Sequence, residues 1–129
     1  MIIDCHGHYT TAPDQLGSYR EKQKQELASD ANFQHQKGTL AITDDELRDS
    51  LENAQLKLQR ERGTDVTIFS PRASWMGHHI GNQFTSKYWT EHCNELIHRI
   101  TQLYPDNFIG ACQLPQIPGG SLSHSIQEL

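Results

Sequence analysis

The sequence predicts an α/β protein built on parallel strands, and two observations carry that reading. Short β-rich runs alternate with longer helical patterns in the order β-α-β-α-β-α. Strands alternating with helices imply parallel pairing with right-handed crossovers. The second helical pattern carries both a start signal and a stop signal, so the alternation rests on more than composition.

The elements follow in order. Met1-Ile2-Ile3-Asp4-Cys5 is short, β-rich and followed by glycine, which reads as a buried strand over residues 1–5. Residues 14–30 hold good helix formers with few apolar positions, so a helix there is peripheral. Residues 30–41 read as an exposed loop, and 14–41 together as a peripheral insertion. Thr43-Asp44-Asp45-Glu46 is a capping box, in which the threonine hydroxyl and the glutamate each satisfy one orphan backbone N–H. Ile42 and Leu47 stand where a hydrophobic staple would close over it. Leu47, Leu51, Ala54 and Leu58 then form one apolar stripe, and Gly63 is placed for a left-handed cap, giving a helix over 44–62.

Asp65 to Ser70 reads as the second strand, closed by Pro71. A helix over 84–104 follows, with Trp89, Cys93, Leu96, Ile97, Ile100 and Leu103 on its buried face and Pro105 stopping it. Residues 108–112 make a third strand, and residues 121–129 begin a further helix. Three strands are few for an open doubly wound sheet, and a closed eight-stranded barrel typically needs about 250 residues. The 129 residues therefore read as the N-terminal portion of one larger α/β domain.

Composition excludes several functions. A net charge of -5, with Lys and Arg scattered among acids, does not suit a phosphate-binding surface, so no nucleic-acid partner is expected. No apolar run approaches the roughly 20 residues that span a bilayer, and no basic leader precedes an apolar core. Cys5, Cys93 and Cys112 show no paired spacing, which suits reduced thiols and a cytoplasmic setting.

In parallel α/β architectures the site collects at the carboxyl ends of the strands. Those positions hold His6-Gly7-His8, then Ser70-Pro71-Arg72, then a run with Gln113 and Gln116. On an extended backbone, residues i and i+2 share a face, so His6 and His8 can reach one cation. Zinc–imidazole distances are about 2.0–2.1 Å, within reach of such a pair. Asp4 alternates to the side of His6 and is placed to accept an imidazole N–H. The competing reading is two solvated or backbone-bonded histidines. Arg72 suits a carboxylate or phosphate on a substrate, or is an ordinary exposed loop arginine.

The other histidines read as structural or solvated. His78 and His79 follow the second strand, but adjacent residues seldom share one ligand geometry. His92 and His98 fall in the second amphipathic helix, with His98 flanking its buried stripe as a packing residue. His35 and His124 look exposed. Trp75 and Met76 could wall a pocket or simply pack. Cys5, buried without an activating base, is not read as a nucleophile.

With that context, the opening MIIDCHGH resembles the metal-dependent amidohydrolase superfamily of (β/α)8 barrels. The segments GTDVTIFSPR and CNELIHRITQLYPDNFIGACQLPQ make the chain similar to the branch of aromatic-acid decarboxylases and hydratases. Within that branch it looks most like the 4-oxalomesaconate hydratases, over nearly all of its length except residues 14–40. The resemblance implies the first three β/α units of a TIM-type barrel, incomplete in this chain. It implies a metal-dependent hydro-lyase that adds water to 4-oxalomesaconate or its enol tautomer. The product would be 4-carboxy-4-hydroxy-2-oxoadipate, in protocatechuate and gallate breakdown.

By the same resemblance His6 and His8 are metal ligands, zinc is the expected ion, and Arg72 meets a substrate carboxylate. A further histidine, an acidic ligand and the catalytic acid and base would come from later strands, so these 129 residues alone are expected to be inactive. The partner is then a small tricarboxylate, and a homo-oligomer stays open. Two alternatives stand beside this one: a metal-dependent decarboxylase or hydrolase of the same superfamily, and a small non-enzymatic α/β module with structural histidines.

Overall fold

In the computed structural model, which describes residues 1–72, 81–115, 117 and 119–129, three strands form one parallel sheet. They are β1 (Ile3–Tyr9), β2 (Val66–Pro71) and β3 (Phe108–Gly110), lying side by side in chain order. The helices are α1 (Asp14–Ser29), α2 (Asp44–Glu52), α3 (Gln55–Arg62), α4 (Gln83–Leu103) and α5 (Ser123–Gln127). The parallel α/β class read from the sequence is the one observed.

One face of the sheet carries the core. Phe69, in mid-β2, is fully buried, with its ring centroid 4.6 Å from that of Phe108 and 5.7 Å from that of Tyr9. Its register partners are Gly7 on β1 and Gly110 on β3, so one large ring is flanked by two residues without side chains. That row makes room for the apolar stripe of α4, where Trp89, Cys93, Leu96, Ile97 and Ile100 are buried. The stripe falls on the positions that helical periodicity picked.

The expected helix over 44–62 is two helices. The capping box forms as the sequence indicates, with Thr43 Oγ1 accepting the Glu46 N–H at 3.2 Å and Glu46 Oε2 accepting the Thr43 N–H at 2.8 Å. Hydrogen bonds donated by the Thr43 backbone, then by the Gln15 amide and the Thr43 hydroxyl, hold the Glu46 carboxyl below its usual range. Leu47 and Leu51 are buried, but the chain breaks at Asn53–Ala54, where Ala54 has φ -132° and ψ -95°. The break changes the phase of the stripe. Leu56 is 1% exposed and Leu58 is 43% exposed, where an unbroken helix would bury Leu58. It also lets Gln55 reach β1, where its Nε2 donates to the His8 carbonyl at 3.4 Å and to Thr10 Oγ1 at 3.1 Å. Gly63 closes α3 at φ +67°, the left-handed cap expected of it.

Residues 30–41 contain no regular element, yet they are not simply an exposed loop. His35 is 2% exposed, and its Nδ1 lies 2.8 Å from Glu26. Asn82, the N-cap of α4, donates to the Phe33 carbonyl at 2.7 Å, and His92 Nε2 donates to the Lys37 carbonyl at 2.8 Å. Lys37 pairs with Glu91 at 3.2 Å and with Glu95. The side chains of α4 satisfy the backbone of this stretch, so a polar composition conceals an anchored segment. α1 joins the same layer: Gln23 Nε2 donates to the Thr85 carbonyl at 3.2 Å, and the Arg20 guanidinium lies 4.8 Å above Trp89. No helix among the described residues is long and apolar enough to cross a membrane.

Candidate metal centre

β1 is longer than residues 1–5 and reaches Tyr9, which places His6-Gly7-His8 inside the strand. Its pairing with β2 carries a register shift. Asp4 pairs with Thr67 and Gly7 with Phe69, so Cys5 and His6 together stand opposite Ile68 alone. Beyond this bulge the alternation is regular, with His8 opposite Ser70 and Tyr9 opposite Pro71. Gly7 and Tyr9 then face the core, and the two imidazoles project from the other face.

The glycine of the motif has a steric cause. A Cβ at Gly7 would sit 2.2 Å from Thr67 Cγ2 and 3.2 Å from Phe69 Cδ2. Thr67 has little room to yield, because it is buried and its Oγ1 accepts from Gln59 Nε2 at 2.7 Å. Gly7→Ala is expected to cost about 1–3 kcal/mol, the usual penalty of overpacking, and to displace both imidazoles. Urea unfolding of the intact protein measures it; an unchanged midpoint would count against this packing.

His6 and His8 come together. Their Nε2 atoms are 3.2 Å apart, and the rings meet edge to face with centroids 4.7 Å apart. The partners of His8 Nδ1 decide its tautomer. That nitrogen lies 3.1 Å from the Pro71 carbonyl and 2.7 Å from Ser70 Oγ. A carbonyl only accepts, so Nδ1 carries the proton and Nε2 presents a lone pair toward His6. Two nitrogens each 2.0–2.1 Å from a tetrahedral ion are about 3.3–3.4 Å apart, so the observed separation fits a shared divalent cation. No third His, Cys, Asp or Glu joins the pair among the described residues.

Asp4 does not act as expected. The bulge breaks the alternation that would place it beside His6, and it lines a small cavity with Gln55, Gln59 and Arg62 of α3. Its Oδ1 accepts the backbone N–H of His6 at 3.0 Å rather than an imidazole N–H. Arg72 directly follows Pro71, whose carbonyl meets His8, and it lines a small cavity with Tyr9, Leu16, Trp89 and Cys93. Gln113 is not at the mouth of the site. It is buried against α4, where its N–H donates to Asn94 Oδ1 at 2.8 Å and its carbonyl accepts from Asn94 Nδ2 at 2.9 Å.

Among the other histidines the packing residue is His92, buried and 4.7 Å from Tyr19 ring to ring, whereas His98 is exposed. His35 is buried rather than exposed, and His124 is half-buried. Cys5 is exposed rather than buried, as are Ile3, Asp4 and His6 of the same strand, and all three thiols are free. Burial pushes the Cys93 thiol up to about 12 against the pull of Arg20, so it is a packing group. Trp75, Met76, His78, His79 and Gln116 lie outside the described residues. The sequence reading missed Ser70 as a partner of His8, although its register position follows once the two strands are aligned.

The chain is similar to known proteins. Over the whole chain the sequence is 47% identical to a protein of Sphingobium sp. named 2-keto-4-carboxy-3-hexenedioate hydratase, covering 37% of that protein. The fold superposes with a TM-score of 0.85 on the crystal structure of a 4-oxalomesaconate hydratase from Rhodopseudomonas palustris. The two are 48% identical, and the match covers 99% of this chain and 37% of that one. The chain thus spans 37% of the length of each relative. Enzymes of this family generally work with a divalent metal ion, in keeping with the paired imidazoles. The amidohydrolase family model matches residues 3–129, almost the entire chain from the first residue of β1, and the chain belongs to that family.

Proposed function

We propose that this chain supplies the first strands, and part of the metal site, of a hydro-lyase acting on 4-oxalomesaconate or its enol tautomer. The reaction adds water across a conjugated double bond to give 4-carboxy-4-hydroxy-2-oxoadipate. The observation that carries the reading is the convergence of His6 and His8 Nε2 at 3.2 Å, in a chain 47–48% identical to proteins named as such hydratases.

On this reading His6 and His8 hold a divalent ion, and an imidazole donor set suits zinc. When bound, that ion supplies Lewis-acid polarisation of a substrate oxygen or of water. Arg72 follows the carboxyl end of β2 and, on the family resemblance, would meet one of the substrate carboxylates, although the cavity it lines lies on the core side with Tyr9, Trp89 and Cys93. The bulge and Gly7 keep both imidazoles on the face opposite the core. The remaining ligands and the catalytic acid and base belong to the part of the longer protein that its relatives contain and this stretch does not. The non-enzymatic alternative is disfavoured, because the two imidazoles meet through the nitrogens left free of backbone partners.

The test is direct. The intact protein carrying this chain, incubated with 4-oxalomesaconate, should yield the hydrated tricarboxylate by NMR, with no carbon dioxide released. Release of carbon dioxide, from this acid or from a resorcylate-type acid, would replace hydration by decarboxylation at the same site.

A further inference from the structure

The contacts of one hydroxyl go beyond ligand identity. Ser70 is the register partner of His8, on the same face of the sheet. Its Oγ lies 2.7 Å from His8 Nδ1, 3.1 Å from the Gly7 carbonyl and 3.5 Å from the Pro71 carbonyl. Both carbonyls are acceptors only. The hydroxyl proton therefore goes to Gly7, at the shorter distance, and the oxygen lone pairs face His8 Nδ1–H. A single side chain on β2 thus holds the ring of His8 and the peptide between the two histidines.

We propose that Ser70 is the positioning residue of the His6–His8 site, locking His8 in the Nδ1–H form with Nε2 turned to His6. The proposal deepens the metal-site reading above and rests on it. Groups that orient a metal-bound imidazole through its second nitrogen commonly change metal affinity by about 10–100-fold. The Pro71 carbonyl, at 3.1 Å, also receives Nδ1–H, so the loss on removing Ser70 falls at the lower end of that range.

The experiment uses the intact protein with Ser70→Ala, Ser70→Thr, Ser70→Val and His8→Ala. Threonine and valine have the same shape and differ in the hydroxyl, so that pair isolates the hydrogen bond even if the alanine variant folds poorly. Zinc affinity is read by chelator competition, and the His8 tautomer by ¹⁵N chemical shifts of the metal-free protein. Alanine and valine should weaken zinc about ten-fold and populate the Nε2–H form, whereas threonine restores both. Zinc affinity and tautomer unchanged in the valine variant would overturn the role of Ser70. Zinc retained in His8→Ala would instead remove the metal reading. Loss in His8→Ala with none in Ser70→Val leaves the metal site standing and Ser70 without a part in it.

Discussion

Replacing His8 with alanine in the intact protein is expected to abolish stoichiometric metal binding and to lower kcat/KM by more than about 100-fold. That magnitude exceeds the usual loss on removing a group that only orients a ligand, because the variant deletes the donor itself. His6→Ala should behave alike, since its Nε2 is the other member of the 3.2 Å pair. Neither ring belongs to the buried core, so both variants should fold. Metal content after exhaustive dialysis, measured beside the rate of the proposed reaction, checks the claim. A variant that keeps a full equivalent of metal and wild-type turnover would remove His8 from the site.

Phe69→Ala should produce the largest loss of stability, about 3–5 kcal/mol in urea unfolding of the metal-free protein. Large-to-small changes cost most where the surroundings cannot collapse into the hole. Phe69 is fully buried, and its register neighbours Gly7 and Gly110 have no side chains with which to fill the space. The loss should reach the site too, because Phe69 packs beneath Gly7 between the two imidazoles. Metal affinity should fall together with stability. A loss below about 1 kcal/mol would show that the core here relaxes far more freely than close packing allows.

Local signals were legible where a residue acts on its own turn. The Thr43 capping box, the Gly63 cap and the α4 stripe depend on neighbours within one or two helical turns, and all three stand as read. Signals that depend on a second element were not legible. The Leu47-Leu51-Ala54-Leu58 periodicity continues through a break at Asn53–Ala54, beyond which Gln55 reaches β1. His35 carries the sequence context of a solvated loop, yet Glu26 and the N-terminal half of α4 enclose its segment.

The candidate site divides along the same line. His-x-His spacing on a strand implies a shared face, a property of the backbone alone, and the family resemblance was carried by short runs of residues. The separation of the two nitrogens depends on more. It needs a bulge set by pairing with β2, a glycine required by Thr67, and a hydroxyl from the neighbouring strand.

By itself, then, the sequence determined the parallel α/β class, the Thr43 and Gly63 helix caps and the placing of His6 and His8 on one face of a strand, because those depend on local conformation and residue chemistry. The tertiary structure alone decided that Asp4 turns away while Ser70 and Pro71 orient His8, because a one-residue shift in strand register reverses which face a side chain occupies.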